Sequence, residues 1–292
     1  MSRLLIIDGH AYAYRAFHAI RELRSPVGQP TNAIYGCVKM LEKMRSAVEP
    51  THLVVVWDGG LSAERLAALP DYKAQRPEMP ADLRPQLAGI VDFLAAAGMA
   101  SYRAEGVEAD DFIATLARLA AVENWDVVIA SSDKDFMQLV SARIGLLNPN
   151  DKTGVIWGRA QVVAKAGVEP EQVADWLALM GDAVDNIPGV PGVGPKTAAG
   201  LLQQFGSVDN LLARLDEVKS EKLRSSLRAS AAAVVRNQKL VRLPEVPCEF
   251  APAMLAVGAG DRAALGRLFA GWGFQGMLAA LAASGEKQAE LI

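Results

Sequence analysis

The sequence predicts an α/β protein with a mostly parallel sheet and flanking helices, together with a helical region of the helix–hairpin–helix type. Short apolar runs at residues 3–8, 53–57 and 126–130 alternate with stretches of helical periodicity. This alternation is typical of a parallel sheet built with right-handed crossovers. Around residue 190, a hairpin rich in Gly and Pro separates two helical segments, which indicates a tight helix–hairpin–helix connection.

Composition limits the class of protein. The 292 residues are 51% hydrophobic and 22% charged, which is enough to bury a sizeable core. The apolar run at residues 4–7 is too short for a signal peptide, and no uninterrupted run reaches membrane-spanning length. Cys37 and Cys248 are too few for a disulfide framework or a cysteine-based metal site. We therefore expect a cytoplasmic protein of bacterial type.

In chain order, we place strands at residues 3–8, 53–57, 100–103 and 126–130, with helices between them. Thr31 or Asn32 is expected to cap the helix before the second strand, because apolar residues repeat at helical spacing after it. A capped helix is also expected over residues 261–269.

The segment 106–113 has an unusual density of acidic residues. Glu108, Asp110 and Asp111 place three carboxylates in the first turn of an amphipathic helix. Helix capping is one explanation, since the helix dipole favours negative charge there. Capping needs one or two acidic residues, however, and a third adds like-charge repulsion.

Carboxylates also follow the other predicted strands. The carboxyl ends of parallel strands form the usual ligand site of such a sheet. Asp182 and Asp185 are spaced to share a helix face. The set that we expect to converge on one pocket consists of Asp8, Asp58, Glu108, Asp110, Asp111, Asp133, Asp135, Asp182 and Asp185. Nine carboxylates would repel one another without cations, and oxygen ligands select Mg²⁺ or Mn²⁺. Two such ions are typical of phosphodiester hydrolysis.

The remaining surface is basic. With the nine acids assigned to a site, 24 acidic residues remain against 30 Lys and Arg. Seven basic residues lie between Lys219 and Arg242 with the single acid Glu221. This run is either a solvated helix face or a track for a phosphate backbone, and a phosphodiesterase site favours the track.

The hairpin at residues 186–197 resembles a P-loop only in its spacing. Gly189 and Gly194 have that spacing, but Pro195 separates Gly194 from Lys196 and no strand precedes. Pro195 instead suits the first position of a helix that Gly206 ends. Exposed amides there would bind phosphate without reading base sequence, whereas the alternative is a tight connection inside a core.

Several motifs together resemble the 5′ nuclease family, and more narrowly the 5′→3′ exonuclease domain of bacterial DNA polymerase I and its stand-alone relatives. The similarity spans nearly the whole chain. The motifs are Ile-Ile-Asp8-Gly-His, Tyr14-Arg15-Ala-Phe, Trp-Asp58, Tyr72-Lys73-x-x-Arg76, Glu108-Ala-Asp-Asp111, Ser132-Asp-Lys-Asp135, Gly-Asp182-x-x-Asp-Asn186 and Pro-Gly-Val-x-Gly-Val-Gly-x-Lys-Thr.

The resemblance implies three regions. Residues 1–157 would form a PIN-like α/β nuclease core with a helical arch near 59–90. Residues 158–245 would form a helix-three-turn-helix DNA-binding region, and 246–292 would pack back on the core with a tail. A monomer acting in the cytoplasm and associated with the nucleoid is implied.

The resemblance also assigns roles to residues. Asp8, Asp58, Glu108 and Asp110 would hold one Mg²⁺, and Mn²⁺ can substitute. Asp111, Asp133, Asp135, Asp182 and Asp185 would hold a second, with Asp111 or Asp133 as a bridge. Potassium would bind backbone carbonyls near Val190 and Val193. The expected DNA contacts are Tyr14, Arg15, Tyr72, Lys73, Arg76, Gly189, Gly192, Gly194, Lys196 and Thr197.

The catalytic residues implied are Asp8, Asp58, Lys73 and Arg76, with the two basic side chains contacting the phosphate. Tyr72 is expected either to stack on an unpaired base or to pack in the protein. The implied function is structure-specific 5′→3′ exonuclease and flap endonuclease activity on flaps, nicks and RNA-primed ends, for primer removal and repair. The alternatives are a non-catalytic junction-binding protein, which has no need of nine carboxylates, and a PIN-type ribonuclease, which lacks the Gly hairpin.

The last five residues, Gln288 to Ile292, are similar to peptides that dock on the bacterial sliding clamp. A frayed polar tail is the other interpretation.

Overall fold

The computed structural model describes residues 2–289 of the chain, with side chains described through residue 283. Its strands are, in chain order, β1 (Arg3–Asp8), β2 (His52–Trp57), β3 (Ala100–Arg103), β4 (Asp126–Ala130), β5 (Ile144–Leu147), β6 (Ile156–Trp157), β7 (Gly181–Asp182) and β8 (Ile187–Pro188).

The helices are α1 (Gly9–Ala19), α2 (Asn32–Val48), α3 (Ala63–Ala68), α4 (Arg84–Ala96), α5 (Ala109–Val122), α6 (Arg159–Ala166), α7 (Val173–Met180), α8 (Pro195–Phe205), α9 (Val208–Ala213), α10 (Glu221–Val241), α11 (Pro252–Leu255), α12 (Arg262–Trp272) and α13 (Gln275–Ala289). Short 3₁₀ turns follow β4 at Lys134–Leu139 and precede α7 at Pro170–Gln172. No described helix is both long enough and apolar enough to cross a bilayer.

The chain divides into two compact units. Unit 1 consists of residues 1–58, 78–103 and 250–292, and unit 2 of residues 59–77 and 104–249.

In unit 1, β1 pairs in parallel with β2, and β2 pairs in parallel with β3. Leu4 to Ile7 are at most 1% exposed, so the aliphatic run of β1 lies in the core. Helices α1 and α2 pack together, and α12 packs on α4 with Phe269 6.2 Å from Phe93 between ring centroids. The register places Asp8 opposite Val56, so β1 and β2 end side by side.

In unit 2, β4 pairs in parallel with β5, and β6 joins β5 in antiparallel orientation. Helix α5 packs on β4, and the longest helix, α10, packs on α7. The side-chain amide of Asn237 on α10 donates to Ala178 O at 3.2 Å and to Pro188 O at 2.8 Å. This buried amide therefore ties α10 to α7 and to the start of the loop that leads to α8.

The predicted α/β class with mostly parallel strands and an added helical region is confirmed. The predicted strands agree with β1, β2, β3 and β4, and helices begin at Asn32 and Arg262, close to where the sequence predicts them. Asp261 does cap α12 by accepting from Ala264 N at 2.9 Å. Strand β5 and helix α4 were not predicted from the sequence.

One prediction about local structure is wrong. Asp182 and Asp185 do not share a helix face, because Gly181 begins a short antiparallel hairpin of β7 and β8. Gly181 (φ 76°) and Asn186 (φ 57°) both adopt left-handed backbone, which reverses the chain. The proposed clamp-docking segment is Gln288 to Ile292. Residues 290–292 lie outside the described residues, and the side chains of residues 288 and 289 are not described.

Candidate metal and nucleic-acid site

Glu108 immediately precedes α5 and is 1% exposed. Its side chain makes no capping bond to the helix. Instead, Oε1 accepts from Ser62 N at 2.9 Å and Oε2 accepts from Tyr72 Oη at 3.2 Å. Capping therefore does not explain this carboxylate, because its bonds go to the segment at residues 59–77.

Lys73 brings an ammonium into the same cluster. Its Nζ lies 2.5 Å from Glu108 Oε2, 3.8 Å from Asp185 Oδ2 and 4.0 Å from Asp110 Oδ2, and the side chain is 2% exposed. Burial alone lowers the pKa of Lys73, but the carboxylates of Asp110, Asp185 and Glu108 outweigh burial and raise it. The ammonium is thus held charged between three acids.

The backbone of Lys73 is itself constrained. Its φ of 56° is left-handed, which costs a non-glycine residue about 1 kcal/mol or more. Its backbone N donates to Asp185 O at 3.0 Å, and this bond helps to hold the strained residue. Strain of this kind is typical of functional segments.

Arg65 on α3 neutralises the other side of the acidic turn. Its guanidinium binds Asp111 with two bonds, of 2.8 and 2.7 Å, and lies 3.2 Å from Glu108 Oε1. Arg65 Nε also donates to Leu240 O at 3.0 Å. Burial raises the pKa of Asp111 despite this pairing. Arg65 and Asp111 are 6% and 3% exposed, so the pair is shielded from solvent.

The other four candidate site carboxylates of unit 2 are those of Asp133, Asp135, Asp182 and Asp185. Asp133 caps the 3₁₀ turn after β4 by accepting from Asp135 N at 2.9 Å. Burial raises the pKa of Asp133, and burial together with repulsion from Asp133, Asp182 and Asp185 raises the pKa of Asp135 strongly. Lys134 Nζ pairs with Asp182 Oδ2 at 3.1 Å.

Asp185 is bound by the segment that carries Lys73. Arg76 donates to its Oδ1 at 2.8 Å, and Tyr72 Oη lies 3.2 Å from its Oδ2. Tyr72 is 3% exposed. The structure therefore favours the packing role for Tyr72 over base stacking, because its ring is buried and its hydroxyl is engaged by two acids.

The candidate donors of unit 2 are carboxylate oxygens, the type of ligand that a hard divalent cation prefers. Asp135 Oδ1 is buried without a hydrogen-bond partner, although buried carboxylate oxygens are normally satisfied. The seven site carboxylates of this unit exceed the four basic side chains paired with them, Arg65, Lys73, Arg76 and Lys134. Within the described residues, no three His, Cys, Asp or Glu side chains are grouped closely enough to hold a metal. Ammonium and guanidinium groups instead supply the positive charge between the acids.

Asp8 and Asp58 lie in unit 1, at the ends of two adjacent parallel strands. Asp8 ends β1, is 8% exposed and caps α1 by accepting from Ala11 N at 3.0 Å. Asp58 follows β2, and its backbone N donates to His10 Nδ1 at 3.1 Å. Arg103 Nε donates to Asp58 O at 3.1 Å. The expected placement of these two acids at one edge of the sheet is therefore present, while convergence of all nine stays a prediction.

The hairpin between α7 and α8 has a packed base and an exposed tip. A Cβ on Gly181 would lie 2.3 Å from Gly189 N, so this glycine allows two backbone segments to touch. Val190 and Val193 are buried, and Val193 N donates to Val190 O at 2.9 Å. Gly192, Gly194 and Lys196 are exposed, with Pro195 at the first position of α8. The first turn of α8 is thus available to an anion.

The basic run forms helix α10. Arg224, Arg228 and Lys239 share one face, since they are separated by 4 and 11 residues. Arg224 pairs with Glu221, and Arg228 pairs with Asp216 at 2.9 Å. Arg224 is part-exposed, and Arg228 and Lys239 are exposed. Surface ion pairs contribute little stability, so these arginines can exchange their acidic partners for phosphates.

Tyr14 and Arg15 lie on α1 in unit 1. Arg15 is exposed, whereas Tyr14 is half-buried and stacks on His18 at 6.4 Å between ring centroids. Arg65 and His10 contact candidate site residues but were not predicted from the sequence. No local sequence pattern points to Arg65, and His10 stood out only as the residue that follows Asp8 and Gly9.

A mostly parallel α/β fold with acidic residues after its strands, joined to a helix–hairpin–helix region, defines a class of metal-dependent phosphodiesterases. Family comparison is consistent with that class. The family described as "5′-3′ exonuclease, N-terminal resolvase-like domain" matches residues 3–167, and its "C-terminal SAM fold" matches residues 168–263. The chain belongs to the 5′-3′ exonuclease family, so the resemblance found in the sequence is confirmed.

Individual relatives are consistent with this family. The chain is 41% identical over 244 residues to a 5′-3′ exonuclease of Aquifex aeolicus, covering 83% of this chain and 82% of that protein. It is 40% identical over 281 residues to DNA polymerase I of Bacillus caldotenax, covering 94% of this chain and 32% of that protein. This chain thus spans about a third of the length of that polymerase.

A solved relative has the same fold. A bacteriophage T5 flap endonuclease, in a pseudo-enzyme–product complex with DNA and metal ions, matches with a TM-score of 0.69 and 26% identity. The match covers 83% of this chain and 89% of that one.

Proposed function

We propose that this protein hydrolyses DNA phosphodiesters as a metal-dependent, structure-specific 5′→3′ exonuclease and flap endonuclease, leaving 5′-phosphate products. The main support is the carboxylate cluster of unit 2, in which a buried oxygen of Asp135 has no partner. A purely DNA-binding protein gains nothing from buried, mutually repelling acids, because they oppose a phosphate ligand.

The proposed ligands of divalent cations are Asp8 and Asp58 in unit 1 and Glu108, Asp110, Asp111, Asp133, Asp135, Asp182 and Asp185 in unit 2. All offer carboxylate oxygen, which suits Mg²⁺, with Mn²⁺ as a substitute. When bound, two such ions lower the pKa of water and stabilise the charge that develops on the attacking and leaving oxygens.

Lys73 and Arg76 are the proposed phosphate-binding residues. Both are charged and both are paired with carboxylates of the cluster, so they lie beside the atoms proposed to hold metal. A phosphate would replace those carboxylates as their partner, and Arg76 can bind it through two N–H groups. Both side chains then neutralise charge on the reacting phosphate.

The proposed duplex interface includes Gly189, Gly192, Gly194, Lys196 and Thr197, together with the basic face of α10 in the same unit. Tyr14 and Arg15 on α1 are proposed as further contacts. Because such contacts reach phosphates rather than base edges, selectivity should depend on DNA structure. A K⁺ ion bound by backbone carbonyls near Val190 and Val193 remains part of the proposal.

We infer a monomer that acts in the cytoplasm at the nucleoid, on flaps, nicks and RNA-primed ends, during primer removal and repair. Docking of Gln288 to Ile292 on the sliding clamp is also included. A clamp pull-down with and without these five residues tests the docking, and equal retention of both forms would exclude it.

The first experiment is cleavage of a 5′-labelled flap duplex with Mg²⁺, with Mn²⁺ or with a chelator. We expect wild-type protein to cut near the junction only with metal. Asp135→Asn should reduce cleavage at least ~100-fold, because removing a charge-stabilising group costs about that factor. The exposed carboxylate of Asp209 offers a matched control, and Asp209→Asn should cut at the wild-type rate.

The same variant has a second readout. Without metal, Asp135→Asn should be more stable than wild type by about 1 kcal/mol, since a buried unpaired charge is removed. Tight flap binding by wild type with no cleavage under either metal would instead support the junction-binding alternative.

A further inference from the structure

A four-residue turn from Asp71 to Ala74 contains Lys73, one of the two proposed phosphate-binding residues. Ala74 N donates to Asp71 O at 3.1 Å and closes the turn, so Lys73 is its third residue. The φ of Lys73 is 56°, and a third turn residue with positive φ is usually Gly or Asn. Because the backbone by itself favours another residue type here, other contacts have to stabilise the turn.

The β7–β8 hairpin supplies those contacts. Asn186 Nδ2 donates to Asp71 O at 2.7 Å, so the carbonyl that closes the turn accepts two hydrogen bonds. One residue earlier in the hairpin, Asp185 O accepts from Lys73 N at 3.0 Å. Two consecutive hairpin residues therefore bind the backbone of the turn, and the amide bond joins positions 115 residues apart in the chain.

Asn186 suits both requirements of this contact. Its own φ is 57°, in the left-handed region that asparagine tolerates better than most residues with a Cβ. Its side chain also supplies the N–H that reaches Asp71. Glycine would accept the backbone conformation without supplying a donor, and an ionised aspartate has acceptors only.

Side-chain packing leaves part of this contact open. A cavity of about 460 Å³ lies beside the bond from Asn186 to Asp71. Its lining includes Leu69, Asp71 and Gln75 from the segment that contains the turn, and Ala183, Asn186 and Pro188 from the hairpin. Because the space between the two segments is not filled, we expect the turn to depend on its hydrogen bonds.

Other bonds of this segment involve the candidate metal ligands. Arg76 donates to the carboxylate of Asp185, and Lys73 Nζ pairs with Glu108. Both acids are proposed metal ligands, so these bonds would change when metal and phosphate bind. The bond from Asn186 joins a side-chain amide to a backbone carbonyl, and neither group belongs to the proposed ligand set. This bond can therefore persist while substrate binds.

We propose that Asn186 is a positioning residue that holds the turn at Asp71–Ala74 so that the Lys73 ammonium faces the reacting phosphate. The inference rests on the proposed function, because that function gives Lys73 a phosphate to bind. It also links Lys73 to the hairpin that leads into α8, where the proposed duplex interface begins.

The first measurement needs neither metal nor DNA. Lys73 is 2% exposed, so trypsin can cut the whole chain after Lys73 only when the turn opens, and fragment masses identify the cut. Asn186→Gly should raise this rate about fivefold, since one net hydrogen bond contributes about that factor. Asn186→Asp, a second variant without the donor, should raise it similarly. Cutting after the exposed Lys152 should not change.

The second measurement is the steady-state kinetics of flap cleavage with Mg²⁺. Asn186→Gly should lower kcat about fivefold or more without changing KM or duplex affinity, because the ammonium is misplaced at the reacting phosphate and the duplex interface is intact. Asn124→Gly is the matched control, since Asn124 is another exposed asparagine with left-handed backbone (φ 62°). It should match wild type in both measurements.

The outcomes separate the two proposals. If wild type cuts the flap but Asn186→Gly leaves the tryptic rate or kcat unchanged, the positioning role alone is wrong. A higher KM with unchanged kcat would also overturn it, as would equal changes in Asn124→Gly. If wild type cuts no substrate while trypsin still cuts Asn186→Gly faster after Lys73, the nuclease proposal fails and the hold of Asn186 on the turn is supported.

Discussion

One guanidinium, that of Arg65, holds two buried carboxylates of the candidate site. It binds Asp111 with two bonds and lies 3.2 Å from Glu108. A buried ion pair adds little net stability over an apolar pair, but removing one partner leaves uncompensated buried charge. Arg65 is therefore expected to be a stabilising residue of the acidic turn rather than a ligand of substrate.

Arg65→Met should lower the free energy of unfolding by about 3–5 kcal/mol, measured by urea denaturation without divalent metal. Arg21 is exposed, and the control Arg21→Met should change that free energy by less than about 0.5 kcal/mol. A loss below about 1 kcal/mol for Arg65→Met would show that Glu108 and Asp111 do not depend on this guanidinium.

Ionisation of the buried Cys37 thiol should make the free energy of unfolding depend on pH. Burial on α2 raises the pKa of its thiol to about 12. The unfolded thiol ionises near pH ~8.5, so the stability contribution is present below that pH and is lost as pH rises toward 12. Between about pH 7.5 and pH 10, wild type should lose about 2 kcal/mol of unfolding free energy relative to Cys37→Ala.

Urea denaturation at both pH values checks this prediction. Cys248 is less buried, and Cys248→Ala should retain most of the pH effect of wild type. If wild type and Cys37→Ala showed the same change in unfolding free energy with pH, ionisation of Cys37 would have no part in it.

At the scale of elements, the β7–β8 hairpin and the turn into α8 combine two kinds of glycine. Gly181 has φ 76° and allows backbone to approach Gly189 N, whereas an added Cβ on Gly194 would meet nothing within 4 Å. The first glycine is required for packing, and the second leaves room for an incoming phosphate.

A matched pair of substitutions separates these roles. Gly181→Ala should lower the unfolding free energy by at least about 2 kcal/mol, because it combines left-handed strain with a backbone clash. Gly194→Ala should keep stability within about 1 kcal/mol yet weaken duplex binding several-fold. Thermal denaturation and fluorescence anisotropy measure the two effects, and equal destabilisation by both changes would contradict the assignment.

For the whole molecule, the distribution of charge is more informative about DNA binding than the net charge is. The formal net charge is −3, yet seven carboxylates are gathered in unit 2 while α10 in the same unit presents Arg224, Arg228 and Lys239 on one face. Buried acids paired with basic groups are screened little by salt, whereas exposed basic residues act through the counterions of DNA.

Binding to a nicked duplex should therefore weaken steeply as salt rises. Replacing Arg228 and Lys239 together by Gln should reduce the slope of log affinity against log salt by about two units, because each neutralised phosphate adds about 0.9 to that slope. The control is Lys39→Gln with Lys43→Gln, two exposed residues of α2, which should leave the slope unchanged. Equal slopes for both double variants would identify α10 as a solvated face only.

The family, the α/β class and the strand ends could be predicted from sequence because they depend on local patterns. A strand that ends near Asp8 or near Asp133 can be recognised from the few residues around it. The hairpin of Asp182 and Asp185 was misjudged because a spacing of three residues is compatible with a helix as well as a turn. Left-handed backbone at Asn186 decided between them.

By itself, the sequence determined which residue types surround the candidate site and in what order, since periodicity and motif spacing are local properties of the chain. Only the tertiary structure decided how those charges are paired. Arg65 meets Asp111 across 46 residues, Arg76 meets Asp185 across 109, and Tyr72 is buried between Glu108 and Asp185. Such pairings arise when packing brings distant segments together, and no local pattern records which acid a given base will meet.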